Sequence, residues 1–224
     1  MDIKITPRKT EMIKMRNEGK TLQEIGETFR ISRERVRQIL TKYMPEYKSK
    51  LGLKQGTVKL VRYNPEWEIL YKAEEKIVLA TIDRYIFDIA HIGSTSIPGM
   101  YAKPIIHILV AVKSLSEAKQ ITPLLSSIGY GYSPLPFKAE RIFFVKGPKE
   151  KRLFHLSLVE KDSPEWVDSI LFCEYLRTHK EDAKKYSKLK LALAKKYKND
   201  RNSYTAEKQK FIKDIIEKAH TWNN

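Results

Sequence analysis

Apolar residues recur along this chain with two periods, and the change from one to the other divides it. Thr6-Pro7 reads as an N-cap followed by proline at the first helical position, and Met12, Ile13 and Met15 then supply an apolar face. Asn17-Glu18-Gly19 ends that helix. Thr21 opens a second with Glu24 three residues on, the spacing of a capping box in which hydroxyl and carboxylate each satisfy an orphan amide. Leu22, Ile25 and Phe29 face inward. Ser32 suits the N-cap of a third helix, whose inward residues are Val36, Ile39 and Leu40. A three-helix module is therefore expected over 1–45. Residues 46–57, with Gly52, Gly56 and several lysines, show no sustained period and are expected to form a linker.

From residue 58 the alternation of strands appears. Val58–Tyr63 reads as a strand, and Pro65 starts a helix through Trp67, Leu70 and Ile77 to Ile82. Strands are expected at Ile86–His91 and Ile105–Val112, separated by Gly93-Ser94-Thr95-Ser96-Ile97-Pro98-Gly99, which is too rich in small and turn residues for a regular element. Ser116–Ile128 reads as a helix ended by Gly129, and Arg141–Lys146 with Leu153–Val159 as a hairpin around Gly147-Pro148. Three basic amphipathic helices, over 163–178, 181–197 and 204–220, close the chain. The class expected is α+β, with one domain over 58–224.

The 224 residues suffice for one full core plus a small module. No apolar run approaches the roughly 20 residues that span a bilayer, and Met-Asp-Ile-Lys lacks the apolar stretch of a secretory signal, so a cytoplasmic protein with no membrane partner is expected. Cys173 is the only cysteine, which excludes an internal disulfide and any zinc site built on several thiolates. The formal charge of +16 makes polyanions natural partners. Residues 1–50 are the denser part, with 13 Lys and Arg against 7 Asp and Glu. A second basic run, Lys184, Lys185, Lys188, Lys190, Lys195, Lys196 and Lys198, is expected to be a solvated helix face.

The stretch from Thr21 to Leu40, TLQEIGETFRISRERVRQIL, resembles the helix-turn-helix of region four in bacterial sigma factors. Its chemistry is consistent with that. Arginine pairs with guanine, glutamate accepts from cytosine and glutamine pairs with adenine, so Arg33, Glu34 and Gln38 are candidates for reading bases of double-stranded DNA. Arg35 and Arg37 suit phosphates, which fix register. Where the sigma pattern usually has glycine in the turn, this chain has Arg30, and a side chain forced to positive φ costs on the order of 1 kcal/mol. The plainer alternative for 1–45 is a protein-interaction bundle with a solvated arginine face.

Residues 58–220 resemble the GrpB family, whose members look like nucleotidyltransferases. The carriers are Val61-Arg62-Tyr63-Asn64-Pro65-Glu66-Trp67, His91-Ile92 with the Gly93–Gly99 segment, Lys103-Pro104-Ile105-Ile106, Phe154-His155-Leu156, Tyr175-Leu176-Arg177 and Tyr204. The resemblance implies a nucleotidyltransferase-like mixed β-sheet with flanking helices and a C-terminal helical segment. It also implies a Gly-Ser turn that holds phosphates, followed by strand carboxylates that hold magnesium. Gly93, Ser94 and Lys103 match the first part, and Arg141, His155 and Arg177 are candidates to complete a phosphate pocket. The second part departs: His107 stands where the family has aspartate, and Ser157 where it has a second histidine. Imidazole is a poor magnesium ligand, so magnesium is expected only if the site survives His107.

These features lead to two expectations. One is a transcriptional regulator whose second domain binds a nucleotide or another phosphorylated small molecule without catalysis. The other is a metal-dependent nucleotidyltransferase localised by its helix-turn-helix. A homodimer would suit palindromic DNA sites.

Overall fold

The structure, a computed structural model, describes residues 6–17, 20–43, 51–134 and 140–223. The first helices are α1 (Pro7–Asn17), α2 (Leu22–Phe29) and α3 (Arg33–Tyr43). Both halves of the expected capping box form: the Thr21 hydroxyl accepts from the Glu24 amide at 3.1 Å, and the Glu24 carboxylate accepts from the Thr21 amide at 2.6 Å. Arg30 takes the left-handed conformation, φ 52 and ψ 49, and its amide bonds the carbonyls of Glu27 and Gly26. The turn is tight because α2 carries glycine at its closest point: a Cβ on Gly26 would lie 2.7 Å from the Ile31 carbonyl oxygen. Ser32 then caps α3, accepting from the Arg35 amide at 3.1 Å. Met12, Ile25, Val36 and Leu40 are buried together. Each such side chain contributes on the order of 1.5–3 kcal/mol, a small core for three helices.

The rest of the described chain is an α+β fold. Helix α4 (Glu66–Ile82) leads into β1 (Ile86–Ile92) and β2 (Ile106–Val112), then α5 (Ala118–Ser127), β3 (Tyr130–Tyr132), β4 (Ile142–Lys146) and β5 (Phe154–Glu160). The chain closes with α6 (Pro164–Thr178), α7 (Lys180–Lys196) and α8 (Arg201–Asn223). The five strands form one mixed sheet in the order β1-β2-β5-β4-β3, with β2 and β5 parallel and the other pairs antiparallel.

Alternation along the central strands sorts side chains to two faces. Ile106, Ile108, Val110 and Val112 of β2, with Phe154, Leu156 and Leu158 of β5, join Trp67, Leu70 and Val78 of α4 and Ile121 and Leu125 of α5 in one core. Leu109 and Val159 face the opposite way, into a second core with α6, α7 and α8. His107 and His155 share the parity of Leu109 and Val159, so they belong to the face that the C-terminal helices cover. Buried on both faces, β2 and β5 are apolar for most of their length, which makes the interior polar residues His107, His155 and Ser157 stand out.

Two expectations are corrected. Val58–Tyr63 makes no strand; its only sheet-like contact is an isolated antiparallel bridge between Val61 and Ala102. The second half of the expected linker is not a free tether. Residues 51–58 lie as a strap on the sheet domain, with the Gly52 amide on the Pro104 carbonyl, Leu53 bridged to Arg152, the Gln55 amide on Lys149 and the Val58 amide on Lys198. Leu51, Leu53 and Val58 are buried, and this anchoring by alternate apolar residues overrides the glycines around them. Residues 44–50, the other part of that expectation, lie outside the described residues. Among the described residues no helix is long and apolar enough to cross a membrane.

Candidate functional site

At helical spacing, Glu34 and Gln38 stand opposite the buried Val36 and Leu40, with Arg33 and Arg37 on one flank and Arg35 on the other. All five expected DNA-contacting residues are exposed. They also contact one another. The Arg37 guanidinium donates to both oxygens of Glu34, at 2.8 and 2.7 Å, and Arg35 donates to the Gln38 amide oxygen at 3.1 Å. The forked hydrogen bond from Arg37 holds the Glu34 carboxyl below its ordinary value.

The second constellation is built around the turn after β1. Gly93 has φ 74, and a Cβ there would approach the His107 side chain on the neighbouring strand at 3.7 Å. Its amide is committed, donating to the buried Cys173 sulfur at 3.2 Å. The turn itself is held from beneath: Arg177 donates to the carbonyls of Ser96 at 3.1 Å and His91 at 3.3 Å. His91, stacked on Tyr71, bonds Glu68 at 3.1 Å through one ring nitrogen and Thr95 at 3.0 Å through the other. Burial holds that imidazole neutral, its pKa brought down to about 4. Two expected phosphate ligands thus have structural tasks: Gly93 shapes the turn, and Arg177 clamps it.

Ser94 has a different neighbour from any expected. Lys190 of α7 donates to its hydroxyl at 2.7 Å and to the Tyr101 carbonyl at 2.5 Å. This lysine, expected on a solvated face, is only 2% exposed. Helix packing against the turn forces it inward, and burial beside Lys208 and Lys103 depresses its pKa strongly. Lys103 and Lys208 lie over the ring of the buried Tyr204, at 5.5 and 4.6 Å from its centroid. Burial, then the nearby Lys208 and Arg201, brings the Lys103 ammonium down to about 7; burial and Arg201 bring Lys208 to about 8. Sequence reasoning gave Lys190, Lys208 and Arg201 no place beside this turn and cleft, because a cation on a basic helix carries no local sign of being turned inward.

Beside this cluster opens a small cleft of about 40 Å³, lined by the strap residues Gln55 and Thr57, by Lys103, Arg152 and Arg201, and by His155. Arg152 ties the strap in place, donating to the Gln55 amide oxygen at 3.0 Å. His155 is 5% exposed and its Nδ1 has no hydrogen-bond partner in the protein; the same is true of Arg141 Nε. Arg141 is ion-paired to Glu165 at 2.9 Å. The His107 and His155 rings meet edge to face at 4.8 Å on the paired parallel strands. Burial first, then the surrounding cations, holds both imidazoles neutral, His155 at about 3. Of the expected set the structure thus brings Lys103 and His155 together in one cleft wall, with Arg141 acting on the histidines from nearby and Ser94 held apart by its bond from Lys190.

Magnesium does not fit this donor set. It demands hard oxygen ligands, and the strand positions offer His107, His155 and Ser157 among Lys103, Arg141 and Lys208. Among the described residues no three His, Cys, Asp or Glu side chains gather where they could hold a metal ion.

Comparison with known proteins assigns the two parts separately. Residues 4–44 match the family model described as sigma-70, region 4. Residues 57–218 match the model described as GrpB protein. Glutamate-rich protein GrpB of Alkalihalophilus pseudofirmus is 35% identical over 170 residues, covering 74% of this chain and 98% of the relative. UPF0157 protein YqkA of Bacillus subtilis is also 35% identical, over 165 residues, but the match spans only 48% of that longer protein. The crystal structure of conserved protein GrpB from Enterococcus faecalis superposes with a TM-score of 0.66 at 30% identity, covering 72% of this chain and 96% of that one. With a family model matched over 57–218 and a relative 35% identical over 98% of its own length, the chain belongs to the GrpB family.

Proposed function

We propose that this protein is a DNA-binding transcriptional regulator of the cytoplasm, whose domain over 58–224 binds a nucleotide or another phosphorylated small molecule without catalysing its transfer. The helix-turn-helix over 1–45 supplies the DNA contact: Arg33, Glu34 and Gln38 at base edges, Arg35 and Arg37 at phosphates. What supports this is the region-4 match together with five exposed polar residues on the solvent side of α3. The cationic cleft supplies the ligand site through Lys103 and His155, with Ser94 reached through Lys190.

The observation that carries the link between the two is the strap. Residues 51–58 follow the helix-turn-helix in the chain after a short stretch, and they form a wall of the cleft through Gln55 and Thr57. A ligand that engages Arg152 competes with Gln55 for the same guanidinium, which gives occupancy a route to the connection with the DNA-binding module. The rival reading, a nucleotidyltransferase localised on DNA, draws on Ser94 following Gly93. It needs oxygen ligands for magnesium that His107 and Ser157 do not provide.

The test is selection of duplexes from a random pool by the full chain, followed by anisotropy titrations with and without a nucleotide panel. An enriched motif whose affinity shifts with one nucleotide is the expected result. No enriched motif, with binding indifferent to neutralising Arg33, Arg35 and Arg37 together, would overturn the DNA half; pyrophosphate released from a nucleoside triphosphate would overturn the non-catalytic half.

A further inference from the structure

The cationic cluster lies deeper than a surface patch, and among the described residues no carboxylate acts on its three lysines. Lys103 comes from the loop before β2, Lys190 from α7, and Lys208 and Arg201 from α8. The charged groups acting on Lys103, Lys190 and Lys208 are themselves cations: Lys208 and Arg201 on the first, Lys208 and Lys103 on the second, Arg201 on the third. The polar groups around them, Tyr186, Tyr204, His107 and His155, are neutral; Arg152 adds charge of the same sign, while Arg141, farther out, is paired with Glu165. Like charges held together in a low-dielectric site either give up protons, as the lowered values of Lys103 and Lys208 express, or are held charged by an anion that joins them. The unpartnered Nδ1 of the buried His155, in the cleft wall, adds a polar atom with no partner in the protein.

Resting on the reading of this cleft as a phosphorylated-ligand site, we infer that its ligand is a polyphosphate of two or more linked phosphates, held by Lys103 and Arg201 of the cleft wall with Lys208 and Lys190 adding charge behind them, in place of a divalent cation. A single phosphate carries about two charges and leaves the cluster unbalanced; a chain of phosphates spans separate cations. Binding should draw protons from solvent, since Lys103 near 7 and Lys208 near 8 are only partly charged at neutral pH and become fully so beside an anion.

The test is titration calorimetry of the full chain with inorganic tripolyphosphate, pyrophosphate and orthophosphate, in EDTA and in magnesium, at pH 7.5 in two buffers of different ionisation enthalpy. Tripolyphosphate should bind in EDTA, about tenfold tighter for each phosphate in the series. It should take up protons, and it should weaken as pH rises from about 7 to about 9. Lys208→Met and Arg201→Gln, whose positions are only partly buried, should each lower affinity about tenfold with the circular dichroism unchanged, whereas Arg33→Ala/Arg35→Ala/Arg37→Ala should leave it intact. Orthophosphate binding as tightly as tripolyphosphate, an absolute need for magnesium, or loss of binding in the helix-turn-helix variant alone overturns the inference while the phosphorylated-ligand reading stands. Absence of heat with every phosphate and every common nucleotide overturns both.

Discussion

Replacing Glu34 by glutamine is expected to tighten non-specific binding to DNA, although Glu34 sits at the centre of the face proposed to read bases. Arg37 grips this carboxylate with two hydrogen bonds, at 2.7 and 2.8 Å, and both side chains are more than half exposed. Such a pair is weak and screened, yet while closed it takes one guanidinium away from phosphates and leaves a negative charge facing the duplex. Glutamine frees Arg37. One additional phosphate contact steepens the dependence of log affinity on log salt by about 0.9, so affinity rises about 3.5-fold more over a fourfold drop in salt, from about 200 to about 50 mM. Arg35→Ala should flatten the same slope by about 0.9, because its partner, Gln38, is neutral. The assay is fluorescence anisotropy on a random-sequence duplex across that salt range, repeated on the selected site, where Glu34→Gln should relax preference for cytosine at one position. A Glu34→Gln protein that binds random duplex more weakly at unchanged slope, or an Arg35→Ala protein with the parent slope, would refute the assignment of these side chains.

Other perturbations test the scaffold. Gly26→Ala should destabilise the helix-turn-helix by about 1–3 kcal/mol despite alanine's higher helix propensity, since its Cβ would lie 2.7 Å from the Ile31 carbonyl oxygen; hydrogen exchange of peptides from 21–40 should speed up about fivefold or more, and slower exchange would contradict the close approach. Arg177→Met leaves the Ser96 and His91 carbonyls without their donor and should lower stability by about 1–3 kcal/mol in urea unfolding followed by tryptophan fluorescence; an unchanged midpoint would remove the clamp. Stability should fall as pH drops below about 6.5, because the unfolded chain protonates its histidines there while folded His91 stays neutral to about 4 and His155 to about 3. His155→Gln should flatten that fall, and an unaltered acid profile would mean that His155 is solvated.

Capping, period and turn chemistry are local, and they specified most elements on their own. Thr21 with Glu24, Ser32, and the spacing of Ile25, Val36 and Leu40 set the helix-turn-helix, down to the left-handed Arg30. Apolar runs bounded by turn residues fixed β1, β2, β4 and β5. Strand β3, three residues long, is too short to show a period. Tertiary packing decided the rest. Residues 51–58 have the composition of a tether and become a wall of the cleft because Leu51, Leu53 and Val58 find apolar cover far along the chain. Lys190 and Lys208 look like solvated helix lysines until α7 and α8 dock on the turn, and Arg177 looks like a ligand until its donors meet backbone carbonyls. Composition and spacing record what a residue can do with its near neighbours; burial and field, which decide what a charge does, come from residues brought together only by folding.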